Sequence, residues 1–395
     1  MKERKLKIAL FHPWLKSKGG AERVVLEFLK NTIHKVEVYT WVYKKDSTFE
    51  EFENFKVNVI APRFLEKFSN KFILRGIFTL FGLFSKIDLR KYDLFFISTS
   101  GVAEFITFRN YKEGKTYAFV HTILRDSYKD NIKWNLKYRY RNPVNKLLYL
   151  GAVLFYRILE RIAWRKIDCP IFNSELSKKR AEQNGLLKDK RSYIVHPPMN
   201  LKVTKKVNKN RDNFFLYVSR FNLLKRQDVL IEAWKEFQKS SGEYKKYKLV
   251  LVGGFENEKY MSRVKDLIKK GDEIEIKLNI SDKELKELYS KSLAVLFVPF
   301  LEDFGIVPFE ALSFGKPLIA VEGGGYMDLI KNSPNLIKIK EKLDRELMIK
   351  EIAGGIETFI KNKNRFNYKP EQFPELAPLS FTGKIEDIFL KRSGF

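Results

Sequence analysis

The chain has 395 residues, with 75 Lys and Arg against 48 Asp and Glu for a formal net charge of +27, and 44% of it is apolar. That apolar share, which includes 34 Phe and 18 Tyr, excludes low-hydrophobicity disorder and collagen-like repeats, and the length predicts two or three domains. One cysteine, Cys169, and four scattered histidines (His12, His34, His121 and His196) exclude a disulfide framework or Cys-based zinc site and argue against a His-rich metal centre.

In chain order, residues 1–7 are charged and the apolar run after them is only 8–11, so no secretory signal is expected and a cytosolic setting is the default. Residues 7–11 read as a strand ending at His12-Pro13. Lys18-Gly19-Gly20-Ala21-Glu22-Arg23 then opens a helix carried by Val24, Val25, Phe28 and Leu29. Runs at 36–42, 57–60, 94–98, 116–120 and 169–173 repeat the pattern of buried parallel strands between helical stretches, and a polar helix is predicted over 174–184. Lysine-rich residues 199–212 follow His196-Pro197-Pro198 and read as a linker.

A second series then starts afresh, with strands at 214–218, 248–252, 273–278, 294–298 and 317–320. Helices are expected at 227–239, 258–269, 281–290 and 307–313, with a glycine turn at 323–325 and a last helix at 381–391. Such alternation predicts α/β architecture, two doubly wound, Rossmann-like domains facing across a cleft, with ligands at the carboxyl ends of both sheets. The expected domains are 1–198 on the acceptor side and 199–379 on the donor side, with a terminal helix over 380–395 packing back on the first.

The densest chemistry is Glu302-Asp303-Phe304-Gly305-Ile306-Val307-Pro308-Phe309-Glu310, directly after the strand at 294–298. Two carboxylates flank a Phe-Gly turn that opens a helix, and backbone N–H groups there suit anionic or polyhydroxyl ligands. The string, continued by Ala311 to Ala320 (ALSFGKPLIA), resembles the E-x7-E motif of retaining GT-B glycosyltransferases of family 4. By that resemblance Glu302 binds hydroxyls of the donor sugar, Glu310 holds the ribose, and Phe304, Gly305 and Ile306 line the donor. Arg220 and Lys225 resemble the family's R-x4-K pair. Fixed cations there would stabilise charge building on a leaving diphosphate, and no Asp-x-Asp triplet occurs in the chain. No metal and no cofactor are therefore expected beyond the nucleotide-sugar substrate.

In the first half, Gly19 and Gly20 resemble the family's G-G-A-E-R turn, where glycine lets backbone approach a phosphate or acceptor. His121 matches the histidine at a strand end that bonds the donor sugar, and is counted with Arg220, Lys225 and Glu302 as catalytic. Arg125, Asn173, Gly324 and Gly325 are assigned to the acceptor side or the rest of the cleft. The G-G-A-E-R turn and the His-Thr loop most resemble mannosyltransferases of lipid-linked glycan assembly, so GDP-mannose is favoured over UDP-sugars.

Residues 1–200 hold 39 basic and 20 acidic residues, a net of +19, which leaves +8 of the +27 for the rest. The excess marks a surface. Residues 63–86 and 133–166 are basic and aromatic, and the longest uninterrupted apolar run, 147–156, falls short of the ~18–20 residues a bilayer span needs. Amphipathic basic helices suit the plane of an anionic membrane, with Phe72, Phe78, Phe81 and Phe84 at the headgroup boundary. The expected partners are thus a nucleotide-sugar, a polyprenyl-phosphate-linked glycan and an anionic membrane surface, with the protein peripheral on the cytoplasmic face. A soluble acceptor, a UDP-sugar donor, and phosphorylase or epimerase chemistry on the same fold are the alternatives. A basic nucleic-acid-binding protein is the remote alternative, but nucleic acid is not an expected partner, because no helix-turn-helix, zinc-finger or ribonucleoprotein motif accompanies the charge.

Overall fold

Apolar runs too short for helices become parallel strands in the computed structural model, which describes residues 5–62, 81–140, 142–188, 190–199, 212–255 and 257–393. The chain forms two units, Met1–Pro198 with Pro374–Phe395, and Met199–Phe373. In the first, the strands are β1 (Lys7–Phe11), β2 (Trp14–Leu15), β3 (Lys35–Thr40), β4 (Val42–Tyr43), β5 (Val57–Val59), β6 (Leu94–Ser100), β7 (Thr116–Thr122), β8 (Cys169–Phe172) and β9 (Tyr193–Ile194). Seven of them form a sheet ordered β5-β3-β1-β6-β7-β8-β9, while β2 pairs with β4. Every pairing is parallel, with Leu10 of β1 set between Val38 and Phe96.

The strand expected over 36–42 breaks at Trp41. Its indole is buried edge-on against Phe11 and Trp14, at 5.1 and 5.4 Å between ring centroids, and its backbone N–H turns to the Pro13 carbonyl. The terminal helix, Pro378–Ser393, covers this sheet. Phe389 enters the core edge-on to Phe96 and Tyr117, at 5.1 and 4.9 Å, and Glu386 accepts from the Thr32 hydroxyl and the Ile33 N–H at the end of the Gly20–Asn31 helix.

The second unit carries β10 (Phe214–Val218), β11 (Lys248–Gly253), β12 (Ile274–Leu278), β13 (Ala294–Phe297), β14 (Leu318–Val321) and β15 (Leu336–Ile339) in the order β12-β11-β10-β13-β14-β15. Strand β15 and the Arg345–Asn362 helix that packs Ile352, Ile356 and Phe359 into the core are additions to the expected set. The helix expected over 258–269 ends at Asp266 instead. The chain turns there because the Asp272 carboxylate takes the Lys269 N–H at 2.6 Å and Gly271 adopts φ 91°.

The basic stretch at 133–166 resolves into the end of the Lys129–Tyr138 helix and the Pro143–Arg165 helix. Most of the other basic stretch, including Phe72 and Phe78, and most of the expected linker lie outside the described residues.

Candidate active site

Both sheets reverse their strand order at one place, between β1 and β6 in the first unit and between β10 and β13 in the second. Helices leave such neighbouring strands in opposite directions, so the loops after them diverge and leave a crevice at the strand ends.

In the second unit, the chain leaves β10 through Ser219 and Arg220, whose side chain is exposed. Gly253, at the end of β11, permits this path: a Cβ there would sit 2.0 Å from the Ser219 carbonyl oxygen. The Phe221 N–H donates to the Gly254 carbonyl at 2.8 Å. Asn222 then accepts from the N–H groups of Leu224 and Lys225, at 3.1 and 3.2 Å, which winds a single 3-10 turn over Leu223–Lys225. Arg226 exits in the left-handed region with φ 56°. Its buried guanidinium pairs with Glu341 at 2.7 Å and lies 4.6 Å from the centre of the Phe300 ring.

The loop after β13 is tied to the same turn, since the Phe300 N–H donates to the Leu224 carbonyl at 2.7 Å. That tie brings Lys225 and Glu302, 77 residues apart in sequence, into a hydrogen-bonded ion pair. Their side chains are 18% and 14% exposed, shielded from bulk water yet open to a ligand. Below them, the buried Tyr217 hydroxyl donates to the Lys225 carbonyl, and burial pushes this phenol well above its ordinary pKa.

Gly305 has φ 84°, and a Cβ on it would meet the Phe297 ring at 2.9 Å, the Tyr326 ring at 3.0 Å and the Glu302 side chain at 3.1 Å. The turn therefore needs glycine both for its backbone and for its space. The Glu302 carbonyl accepts the Gly325 N–H at 3.4 Å, and Gly324 sits against the Tyr326 ring. Phe304 is buried and stacks on Phe309 at 5.1 Å. Ile306 caps the seven-residue Val307–Ser313 helix. Glu310, one turn in, accepts from the buried Tyr289 hydroxyl at 2.7 Å, so the motif's two glutamates are held by different partners.

In the first unit, the central strands bring together a set that includes His121 and two residues not singled out from sequence. His12, one residue past β1, places Nδ1 3.0 Å from the Ser98 hydroxyl on β6. The same hydroxyl lies 2.8 Å from Nε2 of His121 on β7, so one serine bridges two imidazoles. Burial drives His12 down from 6.5 to about 4 and, with the neighbouring His12 adding to it, His121 to about 3. Both rings are neutral near pH 7. Asn173, past the end of β8, donates to the His121 carbonyl at 2.7 Å. Gly19 caps the Gly20–Asn31 helix, where a Cβ would strike the Glu22 carboxylate at 2.4 Å, whereas Gly20 faces open space. Arg125, half-buried, opens a short turn three residues beyond β7. Nothing in the sequence pairs His12 with Ser98, because the bridge forms only once β1 lies beside β6 and β6 beside β7. Among the described residues there is no cluster of three or more His, Cys, Asp or Glu side chains set to hold a metal ion.

Residues 200–372 match the family described as glycosyl transferases group 1. The chain is 25% identical over 451 residues to the alpha-1,3/1,6-mannosyltransferase ALG2 of Kluyveromyces lactis, covering 98% of this chain and 86% of that protein. Against ALG2 of Saccharomyces cerevisiae the identity is 27% over 376 residues, with 82% and 71% covered. The crystal structure of Anabaena Alr3699/HepE in complex with UDP-glucose superposes with a TM-score of 0.61 at 19% identity, covering 98% of this chain and 95% of that one. The two parallel α/β sheets thus match GT-B structures in fold, and the sequence is homologous to mannosyltransferases along nearly its whole length.

Proposed function

We propose that this GT-B glycosyltransferase, a homologue of alpha-1,3/1,6-mannosyltransferases, moves mannose from GDP-mannose to a lipid-linked glycan with retention at the anomeric carbon. The observation that carries the reading is the Lys225–Glu302 pair at the strand-order reversal, beside Arg220 on the same loop. The lysine's charge is held by Glu302. A donor diphosphate competes for that ammonium, and its arrival frees the Glu302 carboxylate to accept hydroxyls of the sugar.

Cleavage of the bond between anomeric carbon and phosphate oxygen then builds charge on the diphosphate. Arg220 and Lys225 meet that charge, a contribution of ~3–4 kcal/mol for each well-placed contact. Neutral His121 serves as a hydrogen-bond partner of the donor sugar; with Nε2 engaged by Ser98, Nδ1 is the nitrogen through which it would reach a ligand. Glu310, fixed by Tyr289, is placed to take ribose hydroxyls. Homology to the ALG2 proteins and the basic first half support a lipid-linked acceptor.

Thermal-shift titration against GDP-mannose, GDP-glucose, UDP-mannose and UDP-glucose tests the donor assignment. GDP-mannose is expected to raise Tm the most, with the shift lost in Lys225→Ala. A larger shift from a UDP-sugar overturns it.

A further inference from the structure

We propose that Arg226 is a positioning residue of the donor site: its guanidinium ties the loops after β10, β13 and β15 together and thereby fixes the Lys225–Glu302 pair. The inference rests on the diphosphate role given to Lys225 above and goes beyond it in naming what holds that lysine in place. Backbone geometry points there first. Among the described residues five that are not glycine adopt positive φ, and two of them flank the pair: Arg226, at 56°, directly follows the lysine, and Leu301, also at 56°, directly precedes the glutamate. A side chain on such a backbone is strained and persists only where surrounding contacts hold it.

Those contacts run through one side chain. The Arg226 side chain is 7% exposed, and a buried guanidinium is tolerated only when its charge is answered. Glu341, two residues past β15, answers it at 2.7 Å, and the neighbouring Lys342 carbonyl lies 3.4 Å from the same nitrogen. The guanidinium also lies over the Phe300 ring, 4.6 Å from its centre, a cation–π contact on the residue just before Leu301. Phe300 in turn is bound through its N–H to the Leu224 carbonyl at 2.7 Å. One arginine thus spans from the Lys225 turn to the Glu302 loop and to the end of β15. The buried Tyr326 phenol feels both acids: burial, and then the charges of Glu302 and Glu341, raise it well above its ordinary range. Glycine would meet φ 56° without strain but would make none of these contacts, which supplies the test.

Arg226→Gly frees the backbone and removes the tie, leaving Glu341, 25% exposed, near water; Arg226→Lys keeps a charge for Glu341. Steady-state transfer from GDP-mannose is measured for both beside thermal unfolding, and hydrogen exchange at the Leu224, Lys225 and Phe300 amides is followed without donor. Arg226→Gly is expected to lower kcat by ~10-fold or more through misplacement of Lys225, with KM within about 3-fold of native. Its Tm should be nearly unchanged, the three amides should exchange faster, and Arg226→Lys should recover most of the kcat. A merely structural arginine would lower Tm and leave kcat alone, and that result overturns the proposal, as does native exchange at the three amides in Arg226→Gly. Because exchange is read without donor, transfer from UDP-glucose in place of GDP-mannose would overturn the donor reading and leave this one standing on the exchange data.

Discussion

The Lys225 ammonium is held by the Glu302 carboxylate, with both side chains mostly shielded from water. In the proposed reaction, exchange of that carboxylate for a donor diphosphate keeps the lysine neutralised throughout. Lys225→Ala and Arg220→Ala are each expected to lower kcat by ~100-fold or more, the usual loss for one contact to developing charge, in a steady-state transfer assay; retention of full activity would remove them from the site. His12 makes a different prediction. Its folded pKa, about 4, lies below the 6.5 of the unfolded chain, so its stabilising contribution is complete above pH 6.5. That contribution is lost as pH falls toward 4, because the unfolded chain binds the proton first. The loss attributable to His12 amounts to roughly 3 kcal/mol across the window. Urea unfolding at pH 7.5 and pH 5 should show a smaller pH-dependent loss for His12→Asn than for the native chain, and an equal loss would contradict the assignment. Residue type exposed the Arg220, Lys225, Glu302 and Glu310 set in the sequence, since the motif is contiguous around two strand ends. The His12–Ser98–His121 bridge was hidden, because it depends on β1 lying beside β6 and β6 beside β7.

Between elements, the Pro143–Arg165 helix is anchored by a buried carboxyl pair. Glu160 faces Glu104, at the start of the turn after β6, and both are removed from water. Burial raises both acids, and the charge of Glu104 lifts Glu160 further, well above the ordinary carboxylate range. A carboxyl with a raised folded pKa loses stability as pH climbs from its unfolded value through the folded one. Glu160→Gln keeps an oxygen for the Leu124 N–H and removes the charge. It is expected to raise Tm at pH 8, by about 2 to 4 °C for each kcal/mol relieved, with little gain at pH 4.5. A lower Tm at pH 8, measured by calorimetry, would show that the ionised pair is stabilising. Elements were readable from sequence where apolar runs were bounded by turn residues, as at β10, β11 and β13. The Arg345–Asn362 helix was not, because Gly354-Gly355 interrupts its pattern like a breaker. In the fold Gly355 lets the helix approach β15, where a Cβ would come within 3.1 Å of Ile339.

For the whole molecule, charge and chemistry are divided between the two units. The first half carries +19 of the +27 and the Pro143–Arg165 helix, whose Leu147 and Leu148 are exposed, while the cation pair assigned to the diphosphate and both motif glutamates belong to the second. The composition already showed that a basic surface exists, yet which helix turns its apolar side outward required knowing which residues the sheet buries. The reaction proposed is retaining, metal-independent transfer of mannose from GDP-mannose to a lipid-linked glycan. NMR determination of the anomeric configuration of the product, formed by the purified chain from GDP-α-mannose and a short-chain polyprenyl-phosphate-linked glycan in the presence of EDTA, decides it. An α-mannosyl product formed at an undiminished rate is predicted; a β-linked product, or transfer abolished by EDTA, would contradict it.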